Sequence, residues 1–138
     1  MSAQVQGSSI DSNQRVSTAL PAAGSTATPS TALDLGVAGG RNQTLLKLQI
    51  SVPATASLAD TKTITFKVYD CDTSDGTYTE VEGYGNMIQT GAGGVGDSAD
   101  EWILRIHDHV RRYVKVKATV EASGGNNTAV SYVMETLF

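Results

Sequence analysis

The chain has 138 residues, of which 10 are Lys or Arg and 14 are Asp or Glu, so its net charge is -4. A single domain of this length buries enough apolar surface to fold without cross-links, and the single cysteine, Cys71, excludes an internal disulfide. The acidic balance argues against nucleic acid as the main partner, because phosphate binding relies on clustered Lys and Arg. Since no basic leader precedes an apolar run, we expect neither a secretory signal nor a membrane anchor.

Residues 1–30 are rich in Ser, Ala, Thr, Gln and Gly and poor in large apolar side chains. Such a segment buries too little surface to offset the entropy lost when it is ordered. We therefore predict an extended or flexible N-terminal arm over residues 1–30, with one short extended piece around Val16 to Leu20. The folded domain is expected to occupy residues 31–138.

From residue 44 onward the apolar residues recur with a period of two. In "TLLKLQISV", residues 44–52, apolar and polar residues alternate from Leu46 to Val52, and "KTITFKVY", residues 62–69, repeats the pattern. Further candidate strands, each bounded by Gly, Asn or Asp, are residues 31–35, 78–82, 86–90, 102–107, 113–121 and 129–137. No segment of helical length shows helical periodicity. The pattern predicts an all-β fold, an antiparallel β-sandwich of the jelly-roll type.

The stretch "YDCDTSDGTYTEVEG" places Asp70, Asp72 and Asp75 within six positions. A helix-loop-helix calcium site starting at Asp70 would need glycine at its sixth position and a bidentate glutamate at its twelfth. Those positions hold Asp75 and Val81 instead. We therefore interpret the stretch as a β-hairpin in which Asp75 and Gly76 supply the residue pair that tolerates positive φ.

Two other motifs resemble functional sites but lack their context. "GAGGVG", residues 91–96, has the spacing of a dinucleotide fingerprint, but it leads into another predicted strand and not into a helix. His107 and His109 have the His-x-His spacing of metal-binding barrels, but the chain contains no third histidine. We expect a glycine-rich loop and a turn at these places. No nucleophile setting stands out, so we predict a non-enzymatic protein without catalytic residues, cofactor or metal.

Basic residues are concentrated in one part of the chain. Five of the ten lie within thirteen positions: Arg105, Arg111, Arg112, Lys115 and Lys117. One interpretation is the solvated face of an antiparallel sheet. The other is a positive patch that docks on a negatively charged protein surface.

Three stretches carry a family resemblance: "STALDLGVAGGRNQTLLKLQISV", "TITFKVYDCDTSDGTYTEV" and "RRYVKVKATVEASGG". Over about residues 31–138 the chain resembles the capsid cement, or decoration, proteins of tailed bacteriophages, of the jelly-roll kind known from a Bordetella phage. The resemblance implies a virion structural protein on the exterior of an icosahedral capsid, assembled in the bacterial host cytoplasm. Its implied role is to stabilise contacts between major capsid protein subunits.

The expected partners are the major capsid protein and a second copy of the chain. Exposed sheet edges favour self-association, with a homodimer on a two-fold axis as the first expectation and a trimer as the second. The alternative is a carbohydrate- or receptor-binding β-sandwich of the virion, which would need clustered, exposed aromatic rings. The chain has one Trp, two Phe and five Tyr, and several of these fall at positions where the strand pattern predicts packing.

Overall fold

A computed structural model describes residues 14–36 and 46–137 of the chain. The strands within these residues are β1 (Arg15–Ala19), β2 (Thr26–Ala27), β3 (Leu33–Asp34), β4 (Lys47–Val52), β5 (Thr63–Cys71), β6 (Thr79–Glu80), β7 (Met87–Thr90), β8 (Asp100–Arg105), β9 (Tyr113–Val120) and β10 (Ser131–Leu137). The described part of the chain contains no helix long and apolar enough to cross a membrane.

The strands form two sheets in which every strand pair is antiparallel. The first sheet has the order β1-β10-β4-β8. In the second sheet β5 and β9 lie at the centre, β2 and β3 pair with the free side of β9, and β6 and β7 pair with the free side of β5. The predicted all-β, antiparallel β-sandwich is therefore confirmed.

The core forms between the inward faces of the two sheets, because each long strand alternates buried and more exposed positions. The inward positions of β5 are Ile64, Phe66 and Val68, as the period of two predicts. Phe66 packs against Trp102 and Tyr132 of the first sheet, with ring centroids 5.5 and 5.3 Å apart. These tilted and edge-on ring contacts join the two sheets and favour one relative position of the sheets.

The second half of the predicted arm contributes to both sheets. β1 lies beside β10 in the first sheet, and β2 lies beside β9 in the second. The Gln14 side chain links β1 to β3, since its Nε2 donates to the Asp34 carbonyl at 2.7 Å while its Oε1 accepts from the Asp34 N–H. The sandwich thus includes residues that the prediction assigned to the arm, because backbone pairing with existing strands needs few apolar side chains. Residues 1–13, the rest of that arm, lie outside the described residues.

On one side of β9, no strand of the described chain pairs with the backbone of Val116, and side chains from the opposite sheet take these hydrogen bonds instead. β3 pairs with β9 at Val114 and β2 pairs with it at Ala118, so neither reaches the buried Val116 between them. The hydroxyl of Tyr132 donates to the Val116 carbonyl at 2.5 Å, and the sulfur of Met134 accepts the Val116 N–H at 3.3 Å. Burial raises the pKa of the Tyr132 hydroxyl well above its ordinary value, so the group stays protonated and donates.

We predict that Tyr132→Phe lowers the free energy of unfolding by about 1 to 3 kcal/mol, because the substitution keeps the ring but leaves a buried carbonyl unpaired. Urea denaturation followed by circular dichroism measures the loss. Tyr113→Phe, which removes a hydroxyl from the outer side of the second sheet, is the control and should change stability little. An equal effect of the two substitutions would contradict the role assigned to Tyr132.

Candidate functional site: the Tyr-Lys face

The outer side of the second sheet carries a cluster of tyrosines and lysines. We call it the Tyr-Lys face, and its members are Lys67, Tyr69, Tyr78, Tyr113, Lys115 and Lys117. The register of β5 with β9 sets Lys67 opposite Lys117 and Tyr69 opposite Lys115. The strand residues among them point away from the core because they alternate with the buried positions of β5 and β9. Tyr78 joins them from the segment that leads into β6.

Each lysine of β9 lies over a tyrosine ring. The ammonium of Lys115 is 4.6 Å from the centroid of the Tyr78 ring, and that of Lys117 is 4.3 Å from the Tyr69 ring. Such cation-π contacts stabilise a side chain by about 0.5 to 1 kcal/mol at exposed sites. These contacts restrain the two lysine side chains against the tyrosine rings, and both lysine residues remain partly exposed.

Two lysines of the face sit directly opposite each other. Lys67 and Lys117 are cross-strand partners, about 5.5 Å apart at their Cα atoms in a hydrogen-bonded pair. Like charges in this position destabilise a sheet. Within the described part of the chain, Lys67 forms one ion pair, with Glu80 at 3.7 Å. Both of these side chains are more than a third exposed, so this contact offsets little of the repulsion. The free protein therefore carries an excess of positive charge on this surface.

The five basic residues of the predicted docking patch do not share one surface. Lys115 and Lys117 lie on the Tyr-Lys face, whereas Arg105 ends β8 in the first sheet. Arg111 and Arg112 precede β9, and both are engaged in ion pairs within the chain. Their guanidinium groups are thus bound to carboxylates of the same domain, which makes them less available to bind a partner.

Two of the aspartates of residues 70–75 lie near the guanidinium group of Arg111. Asp70 is 5% exposed, and its carboxylate accepts hydrogen bonds from the Arg111 backbone N–H at 2.8 Å, from Nε at 3.0 Å and from Nη2 at 2.8 Å. The same Nη2 donates to the Asp70 carbonyl and to the Thr79 hydroxyl, each at 2.7 Å. Asp72, at 3.8 Å from Arg111, is largely exposed. The carboxylate of Asp70 is thus a buried ion-pair partner that joins β5, β6 and the start of β9.

The predicted hairpin is present, but its glycine has a different role from the one we predicted. β5 pairs with β6 across the turn, and the Gly76 N–H donates to the Thr73 carbonyl at 3.4 Å. Neither Asp75 nor Gly76 has positive φ. A Cβ atom at Gly76 would instead lie only 2.6 Å from the sulfur of Cys71, so the glycine is needed because the turn passes close to that side chain.

Arg112 forms a second, more exposed ion pair. Its Nε and Nη2 donate to the two carboxylate oxygens of Asp34 at 2.8 and 3.0 Å. These hydrogen bonds hold the pKa of Asp34 below its ordinary value, against the opposing effect of its partial burial. Since Asp34 belongs to β3, the pair fastens the edge of the second sheet to the start of β9.

The other two motifs occupy loops, as predicted. Residues 91–96 connect β7 with β8, and the Gly94 N–H donates to the Asp60 carboxylate at 2.8 Å. His107 and His109 lie in the loop after β8, where their rings stack 5.6 Å apart and Tyr84 stacks on His107 at 4.8 Å. Among the described residues, no group of three or more His, Cys, Asp or Glu side chains is placed to hold a metal ion.

Comparison with models of known protein families and with curated proteins gives no match for this chain. The family resemblance stated above therefore stays an expectation. Lys67, Tyr69 and Tyr78 are the members of the face that sequence reasoning did not single out. Their alternation within the predicted strands was a usable signal, but which strand lies beside β5 depends on pairing between distant parts of the chain.

We predict that Asp70→Asn lowers the free energy of unfolding by about 2 to 4 kcal/mol, because it leaves the part-buried Arg111 guanidinium without its charge partner. Denaturant unfolding measures the change. Asp72→Asn is the matched control, since that exposed carboxylate contributes at most about 1 kcal/mol. Similar losses from both substitutions would show that burial of the pair is not what matters.

We predict a pH-dependent contribution from Asp34. Because its pKa is lowered on folding, the carboxylate stabilises the fold above the pKa of the unfolded chain and loses this effect as the pH falls through the lower folded pKa. Asp34→Asn should therefore melt below the wild-type protein near neutral pH, and the difference should shrink in acid. A melting difference that stays constant or grows as the pH falls would contradict the assignment.

Proposed function

We propose that this protein is a non-enzymatic virion structural protein, a cement or decoration protein that binds the outer surface of an icosahedral phage capsid through its Tyr-Lys face. The observation that carries the proposal is that Lys67 and Lys117 lie directly opposite each other on the outer side of the second sheet, beside tyrosine rings. This arrangement costs stability in the free protein. It becomes favourable when a negatively charged surface covers the face.

The face has the composition of a protein-binding surface. Tyrosine is enriched at interfaces because it combines a large apolar ring with a hydroxyl that hydrogen-bonds at the rim. Three tyrosines lie beside three lysines here, and the cation-π contacts order two of the lysines before a partner arrives. Less side-chain entropy is then lost on binding. An acidic patch on the major capsid protein is the complementary partner.

Cement function follows from mass action. A protein that binds the assembled shell but not the loosened one stabilises the shell by its binding free energy, repeated over many copies. The face is a sheet surface stiffened by two long central strands, so it can bridge neighbouring subunits without deforming.

The strand orders support the jelly-roll type. The first and last strands, β1 and β10, are neighbours in the first sheet, and the chain crosses repeatedly between the two sheets as it proceeds. Taking β2 with β3 and β6 with β7 as interrupted strands gives each sheet four strand positions. Two four-stranded antiparallel sheets with this kind of connection characterise the jelly roll.

The positions of the lysines favour protein docking over sugar binding. Carbohydrate modules stack sugars on open aromatic faces. Here the rings of Tyr69 and Tyr78 are each covered by a lysine ammonium, and Arg112 lies 5.1 Å from the centre of the Tyr113 ring. A sugar would have to displace these cations.

Lys117→Glu tests the proposal without endangering the fold, because it replaces a repulsive cross-strand pair with an attractive one. We expect it to weaken binding to shells of the major capsid protein by about tenfold at low salt, and we expect the loss to shrink at high salt as the charges are screened. Cosedimentation with purified shells measures the affinity.

Lys47→Glu is the control, since Lys47 is exposed on the first sheet and also lies opposite a like charge, Arg105. Equal binding by Lys117→Glu and wild type at low salt, or equal losses from the two substitutions, would remove the Tyr-Lys face from the account. Absence of wild-type binding would overturn the cement function itself.

A further inference from the structure

Within the residues that the structure describes, no strand lies beyond β8, so β8 forms an open edge of the first sheet. The Ile106 N–H donates to the Leu46 carbonyl at 3.3 Å, and the register of β8 with β4 continues this alternation. The backbone groups of Trp102 and Leu104 therefore point toward β4, because residues of an antiparallel pair alternate between facing their partner and facing away. Those of Glu101, Ile103 and Arg105 point to the open side.

Tyr84 closes one end of this edge. Its hydroxyl donates to the Arg105 carbonyl at 2.5 Å and accepts the His107 N–H at 3.0 Å. The residues whose N–H and C=O groups both lack a backbone partner in the described part of the chain are then Glu101 and Ile103, while Arg105 keeps only its N–H open. An unpaired stretch of this kind is a template for a further strand.

We propose that a second copy of this chain pairs with the edge, with β8 antiparallel to β8 about a two-fold axis at Trp102. In this register Glu101 of each copy lies opposite Ile103 of the other. The open N–H groups of these residues then donate to the open C=O groups, and Tyr84 is not displaced. A register about Ile103 would instead direct the second copy's Glu101 to the Arg105 carbonyl that Tyr84 already occupies.

The charges around the axis fit this register. Arg105 lies diagonal to Glu101 of the second copy on both sides of the axis, a separation that long side chains can bridge. The two Glu101 residues are also diagonal to each other, and the two Arg105 side chains offset the repulsion between them. Neither Arg105 nor Glu101 forms an ion pair within the described residues. In its own chain Arg105 lies opposite Lys47, a like charge that destabilises the sheet. The Glu101 carboxylate of the second copy offsets this repulsion.

Apolar side chains lie at the centre of the same contact. Ile103, 53% exposed in the single chain, lies diagonal to its own symmetry mate across the axis and becomes covered. Trp102, half-buried against Phe66, lies directly opposite its symmetry mate. Isologous pairing of this kind closes after two copies.

The other edge of the first sheet lacks these features. On β1 the outward-facing residues are Arg15, Ser17 and Ala19, so pairing about Ser17 would set Arg15 opposite Ala19 with no complementary charge. Arg15 already lies 3.8 Å from Glu135 of its own chain. The charge pattern therefore selects β8 as the edge that pairs with a second copy.

The inference does not depend on the proposed function, because it is tested on the isolated protein. Sedimentation equilibrium should give the mass of two chains. Dilution should shift the fluorescence emission of Trp102, the single tryptophan, to longer wavelength as the dimer dissociates. Ile103→Pro removes the outward N–H without touching the bonds to β4. We expect it to raise the dimer dissociation constant by about tenfold or more.

Ser17→Pro is the matched control, because Ser17 holds the equivalent outward position on β1, and it should leave the dimer intact. A wild-type monomer at the highest soluble concentration would overturn the proposal. So would dissociation by Ser17→Pro but not by Ile103→Pro.

A second test uses charge. Arg105→Glu should weaken the dimer, because it brings carboxylates of the two copies together on both sides of the axis. Adding Glu101→Lys exchanges the two charges and should restore the dimer, as sedimentation equilibrium would show. Failure of Glu101→Lys to restore association would contradict the proposed register.

Discussion

The pairing of β5 with β9 is the constraint on which the rest of the structure depends. It joins segments about fifty residues apart through eight registered pairs, from Ile64 with Val120 to Cys71 with Tyr113. Side chains alternate across a strand, so a slip of one residue would turn the core-facing set of one strand outward. The register thus fixes three features together: the packed core, the Tyr-Lys face and the position of Arg111 beside Asp70.

The charges near β9 divide into structural and free groups. Arg111 and Arg112 are held by Asp70 and Asp34, and they secure the β5-β6 hairpin and the β3 edge. Arginine suits this work because its planar fork meets a carboxylate with two hydrogen bonds. Among the described residues, the lysines of β9 form no ion pair, and their ammonium groups lie over tyrosine rings instead. A cluster of basic residues in sequence is therefore separated by the fold into side chains that build the domain and side chains that face outward.

Local pattern made the fold class predictable. The period of two located the long strands β4, β5, β9 and β10. Because residues 75 and 81 are not the glycine and glutamate that a calcium loop requires, the aspartates were correctly interpreted as part of a hairpin. The extended piece predicted around Val16 to Leu20 matches β1 (Arg15–Ala19). Its place beside β10, and the whole of β2, were not visible, because short edge strands are held by backbone hydrogen bonds and leave little hydrophobic signal. Composition alone marked these residues as part of an arm.

The candidate site was predictable only in part, because it combines residues that are far apart in the sequence. The polar side of β9 could be deduced from alternation, and it contains Lys115 and Lys117. That Lys67 and Tyr69 lie beside them follows from the choice of neighbouring strand, which is made by packing across the whole sandwich. Arg105 is close to this group in sequence, yet it belongs to the opposite sheet. The interruption at Val116, and its repair by side chains of β10, likewise depends on contacts between the sheets.

The proposed cement function makes this protein a component of an assembled capsid shell. Quantitative mass spectrometry of gradient-purified virions tests it most directly, by counting copies of this chain relative to the major capsid protein. We expect a number comparable to that of the shell protein, as a cement that repeats over the whole surface requires. A few copies per particle, or none, would contradict it.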